Sequence, residues 1–273
     1  MKIVIAGAGE VGTHLAKMLS QENQDIILMD PNEERLKFTN NMEVLAMVGN
    51  PTSLKDLQES GIKDADLFIS VTPEEPTNIT ACMLAHSLGA HKTLARINNY
   101  EYLQPKNIEF FQKLGISSMI YPEMLAAREI VTAVQRPWAR QYWELFGGAL
   151  ILIGVKVRDN APIVNKRLTD LSLDQKLYHI VAIKRANETI IPRGADHIAS
   201  GDIVFFTTTR EHVKEVQIQT GKSDPEVKKV VIMGGSRIAF GTCQYLPSNV
   251  RVKFIATNKA KSQRIGDVDA GNK

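Results

Sequence analysis

Three glycines and one aspartate within the first thirty residues carry the clearest chemical signal in the chain. Gly7, Gly9 and Gly12 form G-x-G-x-x-G inside Gly7-Ala-Gly-Glu-Val-Gly12. The motif follows Ile3-Val-Ile-Ala6, an apolar run that reads as a buried parallel strand. It precedes Val11, Leu15, Ala16 and Leu19, which share one face at helical spacing. In that setting each glycine has a physical task. Gly7 permits the tight turn, Gly9 lets a pyrophosphate approach the backbone, and Gly12 lets the helix pack closely on the strand. The helix start aims free N–H groups and a positive dipole end at phosphates. A second strand from Ile26 to Met29 ends at Asp30, about twenty residues past the glycines. A carboxylate there accepts hydrogen bonds from both ribose hydroxyls and repels a 2′-phosphate, which favours NAD over NADP. It suits the ribose of ATP or ADP equally. The bland alternative is a glycine-rich turn in a fold that binds nothing.

The elements that position these residues follow along the chain. A turn and helix start at Pro31-Asn32-Glu33-Glu34, and the helix is expected to reach about Asn41. Strands are expected at 44–48, 67–71, 93–97 and 118–121, with helices at 53–60, 78–88 and 106–114 between them. Strands alternating with helices give a Rossmann-like, doubly wound parallel sheet, an α/β fold. A further helix runs from Pro122 to about Arg136, and Pro137 breaks it. Residues 1–136 are therefore one nucleotide-binding domain. Residues 137–148 form an aromatic crossover segment with Trp138, Tyr142, Trp143 and Phe146. These rings either fill a crevice in their own domain or form a surface between copies.

From residue 149 the texture changes. Strands at 150–157, 178–185, 189–192 and 202–207, a short helix at 165–171 and a helix at 209–219 make a small α+β domain over 149–221. Residues 226–273 then echo the beginning. Lys229-Val-Val-Ile-Met-Gly-Gly-Ser-Arg-Ile-Ala-Phe-Gly repeats strand, glycine turn and helix start, and 252–256 repeats the second strand. Gly234 keeps the first glycine, while Ser236 and Ala239 replace the next two and Ala256 stands near the place of the ribose acid. The repeat is expected to hold no nucleotide. With only two strands it is an incomplete second Rossmann-like unit, which cannot build its own core. The chain thus reads as a fragment, a truncated product, or a unit completed by something else.

Composition excludes several classes. A net charge of +3 and the lack of a Lys/Arg cluster argue against a nucleic-acid partner. No apolar run is long enough to span a bilayer and the start is strand-like, so a cytoplasmic place is expected. Cys82 and Cys243 are far apart, and Cys82 reads as a core thiol rather than half of a disulfide. The six histidines show no metal-ligand spacing, and no metal site is expected.

The order of parts resembles the TrkA family, with tandem RCK (KTN) and TrkA-C units. The resemblance covers residues 1 to about 260 and rests on Gly7-Ala-Gly-Glu-Val-Gly12, Asp30, Gly49-Asn50-Pro51-Thr52, Ser70-Val71-Thr72 with Asn78, Ala95-Arg96, and the Ile191-Pro-Arg-Gly-Ala-Asp…Gly201-Asp-Ile-Val-Phe-Phe run. It implies that the small domain is TrkA-C-like. It also implies binding of NAD or NADH, with ATP or ADP possible. Gly7, Gly9, Glu10, Val11 and Gly12 would cradle phosphates, and Asp30 would hold the ribose. Asn50 and Thr52 would approach the adenine edge, and Val71 and Thr72 the sugar-phosphate. Arg96 would face the distal phosphates, or else form a structural pair with an acid. Glu10 puts negative charge in the phosphate turn and leans the choice toward a dinucleotide.

Two functions follow. The resemblance implies a non-enzymatic regulator of potassium uptake. It would form a homo-oligomer, a dimer or a ring of RCK units, at the inner face of the cell membrane. It would act there on a TrkH/TrkG-like potassium-translocating subunit. The alternative is an NAD-dependent oxidoreductase, for which no catalytic constellation is recognisable in the residues.

Overall fold

The computed structural model describes residues 1–37, 39, 42–171, 177–223 and 225–255. The chain divides into two compact units between Glu123 and Met124. The first unit runs β1 (Lys2–Ala6), α1 (Glu10–Ser20), β2 (Asp25–Asp30), α2 (Glu33–Leu36), β3 (Leu45–Val48), α3 (Leu54–Glu59), β4 (Leu67–Ser70), α4 (Glu75–Ser87), β5 (Lys92–Arg96), α5 (Pro105–Lys113) and β6 (Ser118–Ile120). Its six strands are all parallel, in the order β3-β2-β1-β4-β5-β6. That is the doubly wound order, which reverses direction between β1 and β4.

Strand alternation sorts the core into two layers. Ile3, Ile5, Ile26, Leu28 and Ile69 pack with Ala16 of α1 and Leu36 of α2. Val4, Ala6, Ile27 and Phe68 pack on the other face with Leu57 of α3, Ala81, Cys82 and Ala85 of α4, and Phe111 of α5. Both faces are covered near β1, so its residues are apolar throughout.

The second unit contains most of α6 (Pro122–Gln135), then β7 (Gln141–Leu145), β8 (Leu150–Lys156), β9 (Tyr178–Arg185), β10 (Glu188–Ile190), β11 (Ile203–Thr208), α7 (Val213–Gln219), β12 (Lys229–Met233), α8 (Arg237–Tyr245) and β13 (Arg251–Ile255). Strands β7 to β11 form an antiparallel sheet in the order β10-β9-β11-β8-β7. Ile151, Ile153, Val155, Ile183, Val204 and Phe206 line one face and pack with Val216 of α7. Strands β12 and β13 pair in parallel, as the repeat of the opening motif requires.

Several element readings shift for local reasons. The loop expected through Thr77 is already helix from Glu75, because Pro76 is tolerated in the first turn, where its missing N–H has no partner to lose. The helix expected over 165–171 is only a 3-10 turn at Leu168–Leu171, since Asn165 takes a left-handed φ of +60°. The helix expected over 209–219 splits into a 3-10 turn at Arg210–His212 and α7. The helix expected to reach Asn41 is α-helical over Glu33–Leu36; Phe38, Asn40 and Asn41 lie outside the described residues, as do Ala256 and everything after it. The aromatic cluster divides. Trp138 and Tyr142 are buried in the core of the antiparallel sheet, and Arg136 stacks 3.9 Å from the Tyr142 ring centroid. Trp143, the next strand residue, points the other way and is 38% exposed, and Phe146 is 85% exposed.

One ion pair pins the antiparallel sheet. Asp202 is buried, and its carboxylate accepts from Arg185 Nε at 3.0 Å, Arg185 Nη2 at 2.8 Å and the Ala199 N–H at 2.8 Å. Burial alone would raise its pKa. The Arg185 hydrogen bonds, the Ala199 N–H and the guanidinium charge outweigh burial and hold the carboxyl below its usual value. The folded state thus holds this proton less tightly than the unfolded chain. The stabilisation is present above the ordinary carboxylate pKa and fades as pH falls through the depressed one. Arg185→Met is expected to lower stability at neutral pH by about 1–2 kcal/mol, solvent screening of the part-exposed guanidinium keeping the figure low. The variant should also lose less stability than the parent on acidification. Denaturant titrations at neutral and acid pH read both effects.

Candidate nucleotide-binding site

The residues singled out in the first unit come together at the carboxyl ends of its parallel strands, around the point where strand order reverses. Gly7 ends β1 with φ +105°, a conformation L side chains rarely adopt. Its N–H donates to Met29 O at 2.8 Å, which ties the turn to β2. Gly12 packs against that turn so closely that a Cβ would lie 1.8 Å from Gly7 O. Gly9 differs. A Cβ there would meet nothing within 4 Å among the described residues, and its backbone is extended at φ −78°, ψ −173°. It stands at the N-cap of α1 with no side chain to occupy the first N–H groups of the helix. The opening in front of Gly9 is where an anion can approach them. Glu10 and Val11 follow, both exposed.

Asp30 is 2% exposed and serves the same turn. Its Oδ2 accepts the Ala8 N–H at 2.8 Å and its Oδ1 accepts the Asn32 N–H at 2.9 Å. Arg35 stands 3.8 Å from Oδ2. A carboxylate has about four acceptor positions, so these two N–H groups leave acceptor capacity unused. The loop after β3 lies next in the sheet. Gly49 donates its N–H to Asp30 O at 3.2 Å. Asn50 Oδ1 accepts from the Thr52 N–H at 2.9 Å and the Thr52 hydroxyl at 2.8 Å, which makes the loop rigid.

On the far side of the reversal, buried Asn78 braces the ends of β4 and β5. Its Oδ1 accepts from the Ser70 and Thr72 hydroxyls at 2.9 and 2.7 Å and from the Thr72 N–H at 2.9 Å. Its Nδ2 donates to Thr72 O at 3.0 Å and Arg96 O at 2.9 Å. The Thr72 hydroxyl is therefore engaged, and the Val71 side chain is buried in the α1-side core, leaving backbone as the exposed chemistry there. Arg96 ends β5, and its guanidinium is held by Glu123 at 2.8 Å. This is the structural pair weighed from the sequence, and a phosphate arriving here would share or displace it.

The helices of the β4-to-β6 crossovers cover only the opposite face of the sheet. Beside α1 the face stays open as an apolar cleft of about 800 Å³ lined by Glu10, Val11, Ile69, Val71, Leu94 and Ile120. Two positioning residues escaped sequence reading. Asp56 accepts the Asn50 N–H at 2.7 Å while its own N–H is capped by Ser53 Oγ at 3.3 Å. Ser53-x-x-Asp56 is a capping pattern and was a usable signal. Glu75 accepts the N–H groups of Asn98 and Asn99 at 2.6 and 2.8 Å, across a separation that no local pattern reveals. Cys82 lies under β4, and burial pushes its thiol up to about 12, the opposite of an activated nucleophile. No group of three or more His, Cys, Asp or Glu suited to a metal occurs among the described residues, and none of their helices is long and apolar enough to cross a membrane.

Comparisons with known proteins give the family and the fold. Residues 3–122 match the TrkA-N domain family model and residues 152–218 the TrkA-C domain family model. The chain is 32% identical over 274 residues to the Trk system potassium uptake protein TrkA of Haemophilus influenzae, covering 98% of this chain and 59% of that protein. It spans about three fifths of the length of the curated relatives it matches. Among solved structures, the GsuK RCK domain superposes with a TM-score of 0.62 at 17% identity, over 93% of this chain and 55% of that one. A structure described as the GsuK channel bound to NAD gives 0.62 at 15% identity, over 97% and 51%. The fold is that of the RCK structures, a doubly wound parallel sheet that matches TrkA-N, followed by a TrkA-C domain. The chain belongs to the TrkA family.

The three glycines should separate on substitution. Gly9→Val, placed in open space on extended backbone, is expected to melt like the parent and to lose nucleotide binding. Gly12→Ala should lower stability by about 1–3 kcal/mol, since its Cβ overlaps Gly7 O. Thermal melts paired with nucleotide titration distinguish the two. Normal binding by Gly9→Val would mean the phosphate turn is misplaced.

Proposed function

We propose that this chain is a nucleotide-sensing regulatory subunit of a potassium uptake system. NAD or NADH, or alternatively ATP or ADP, would bind at the first unit. The observation that carries the reading is the pairing of an open Gly9 with a buried Asp30 that ties the same turn to the end of β2. Phosphate approach and ribose recognition are thereby built into one rigid corner. Phosphates would meet the turn Gly7–Gly12, the ribose Asp30, and the adenine edge the Asn50–Thr52 loop. The distal half would run past Val71 and Thr72 toward Arg96.

The relatives named as Trk potassium uptake proteins, and the NAD named with the GsuK channel, support this assignment. A ligand with different affinity for two conformations shifts their populations, and no covalent chemistry is required. The recipient would be a TrkH/TrkG-like membrane subunit, with the chain acting as a homo-oligomer at the cytoplasmic face. Exposed Trp143 and Phe146 are the aromatic surface through which copies would associate.

Titration with NADH, NAD, ATP and ADP, each ligand recovered and checked for chemical change, tests the reading. Saturable binding of an unaltered ligand is expected; conversion of NADH would move the protein to the oxidoreductases. Asp30→Ala should weaken binding ten-fold or more, about 1.5–3 kcal/mol for hydrogen bonds to a charged group. Asp30→Asn, which keeps an acceptor oxygen, should fall between. Unchanged affinity in Asp30→Ala would remove the site assignment.

A further inference from the structure

Four cations gather at one end of the antiparallel sheet in the second unit, on three chain segments that the backbone holds together. Arg140, entering β7, donates its N–H to Gly154 O of β8 at 2.9 Å. Lys156 ends β8, and Arg158 follows in a turn closed by the Ala161 N–H on Arg158 O at 3.0 Å. Lys222 follows α7, with its N–H on Gln217 O at 3.1 Å. The end of α7 is fastened to the segment after β8. The Ile163 N–H donates to Gln219 O at 3.4 Å, and a Cβ on Gly221 would lie 3.0 Å from Ala161 Cα. Arg140, Lys156 and Arg158 are exposed and Lys222 is half-buried. Burial first, then the charges of Arg158, Lys156 and Arg140, push the Lys222 ammonium below its usual pKa.

A solvated basic surface is the bland account. A cation beside a helix C-terminus is favourable, and this accounts for Lys222. It leaves the other three unexplained. Among the described residues, the acids nearest in the fold have other partners. Asp159, in the same turn, bonds the Ser200 hydroxyl. Asp202, whose backbone carbonyl takes the Val157 N–H, gives its carboxylate to Arg185 and Ala199. Among the described residues none of the four cations forms an ion pair. A half-buried ammonium facing three like charges is disfavoured until an anion joins it.

We propose that Arg140, Lys156, Arg158 and Lys222 form a binding site for a multiply charged phosphate group, carried either by a free polyphosphate or by the tail of a nucleotide. The two guanidinium planes match pairs of phosphate oxygens, and the two ammonium groups act as point charges. This site lies in the second unit and is independent of the glycine turn, so its test does not rest on the function proposed above.

Calorimetric titration of the whole chain with inorganic tripolyphosphate tests it, at low and raised salt, on the parent, on Gly9→Val and on an Arg158→Gln/Lys222→Gln double variant. Binding is expected in the parent and in Gly9→Val, falling ten-fold or more in the double variant and weakening with salt. If the double variant melts abnormally, each single variant should still show a several-fold loss. ATP on Gly9→Val identifies the carrier: affinity equal to tripolyphosphate means the phosphates alone are read, and tighter binding means a nucleotide. No tripolyphosphate binding by the parent, or equal binding by the parent and the substituted chains, would overturn the proposal.

Discussion

The carboxylate of Asp30 holds two pieces of chain at once, and the corner where β1 and β2 end depends on it. One oxygen takes the Ala8 N–H from the turn after β1; the other takes the Asn32 N–H from the turn after β2. The backbone of the same two-residue stretch takes the Gly7 N–H through Met29 O and the Gly49 N–H through Asp30 O. Three loops therefore hang on the last two residues of one strand. A buried donor left without its acceptor costs about 1–3 kcal/mol, so the acid is structural before any ribose arrives. The group proposed to meet the ribose is thus also an architectural one. A ligand that bonds the remaining lone pairs meets a turn already in place, which is the condition for binding without a large ordering cost.

The reversal between β1 and β4 creates the space that this corner faces. Crossovers on the β1 side put α1 and α2 on one face, while those on the β4 side put α4 and α5 on the other. Beside α1 no β4-to-β6 crossover helix covers this face, and the cleft lined by Ile69, Leu94 and Ile120 runs there from the glycine turn. Asn78 makes the far wall stiff by joining the ends of β4 and β5 through one buried amide. Small polar side chains thus fix the rim, and the apolar floor is ordinary sheet. The directional groups therefore lie on the rim, and the floor has none.

How much of this was legible in the sequence depended on range. The parallel sheet and its glycine turn follow from period, glycine spacing and β-branched runs, and the structure carries both; the strands read as a small α+β domain form an antiparallel sheet. The local exceptions, a helix entering at Glu75 and a left-handed Asn165, turn on backbone positions where several residue types compete. Trp143 and Tyr142 could not be sorted without knowing that they lie on a strand, since only period two separates neighbours onto opposite faces. The long-range ties were beyond reach. Glu75 meets Asn98 and Asn99, and Arg185 meets Asp202, because the fold brings them together; no spacing rule connects them.

The repeat keeps the backbone frame of the opening glycine turn and changes what its first helical N–H groups meet. Gly234 has φ +110° and donates its N–H to Ile255 O at 2.8 Å, matching Gly7 with φ +105° and its bond to Met29 O at 2.8 Å. The backbone frame is thus kept. At the next glycine position, however, Ser236 accepts the Ala239 N–H at 3.3 Å, so its side chain occupies a helix-start donor that Gly9 leaves open. The helix that follows is used for contact instead. Gly241 sits where a Cβ would be 2.9 Å from Ala127 Cβ, Arg128 lies 5.3 Å from the Tyr245 ring centroid, and the Tyr245 hydroxyl is 3.3 Å from Met124 Sδ. Anion affinity resides in unoccupied N–H groups and in space in front of them. In the repeat a serine cap takes one of those N–H groups, and the body of the following helix packs on α6.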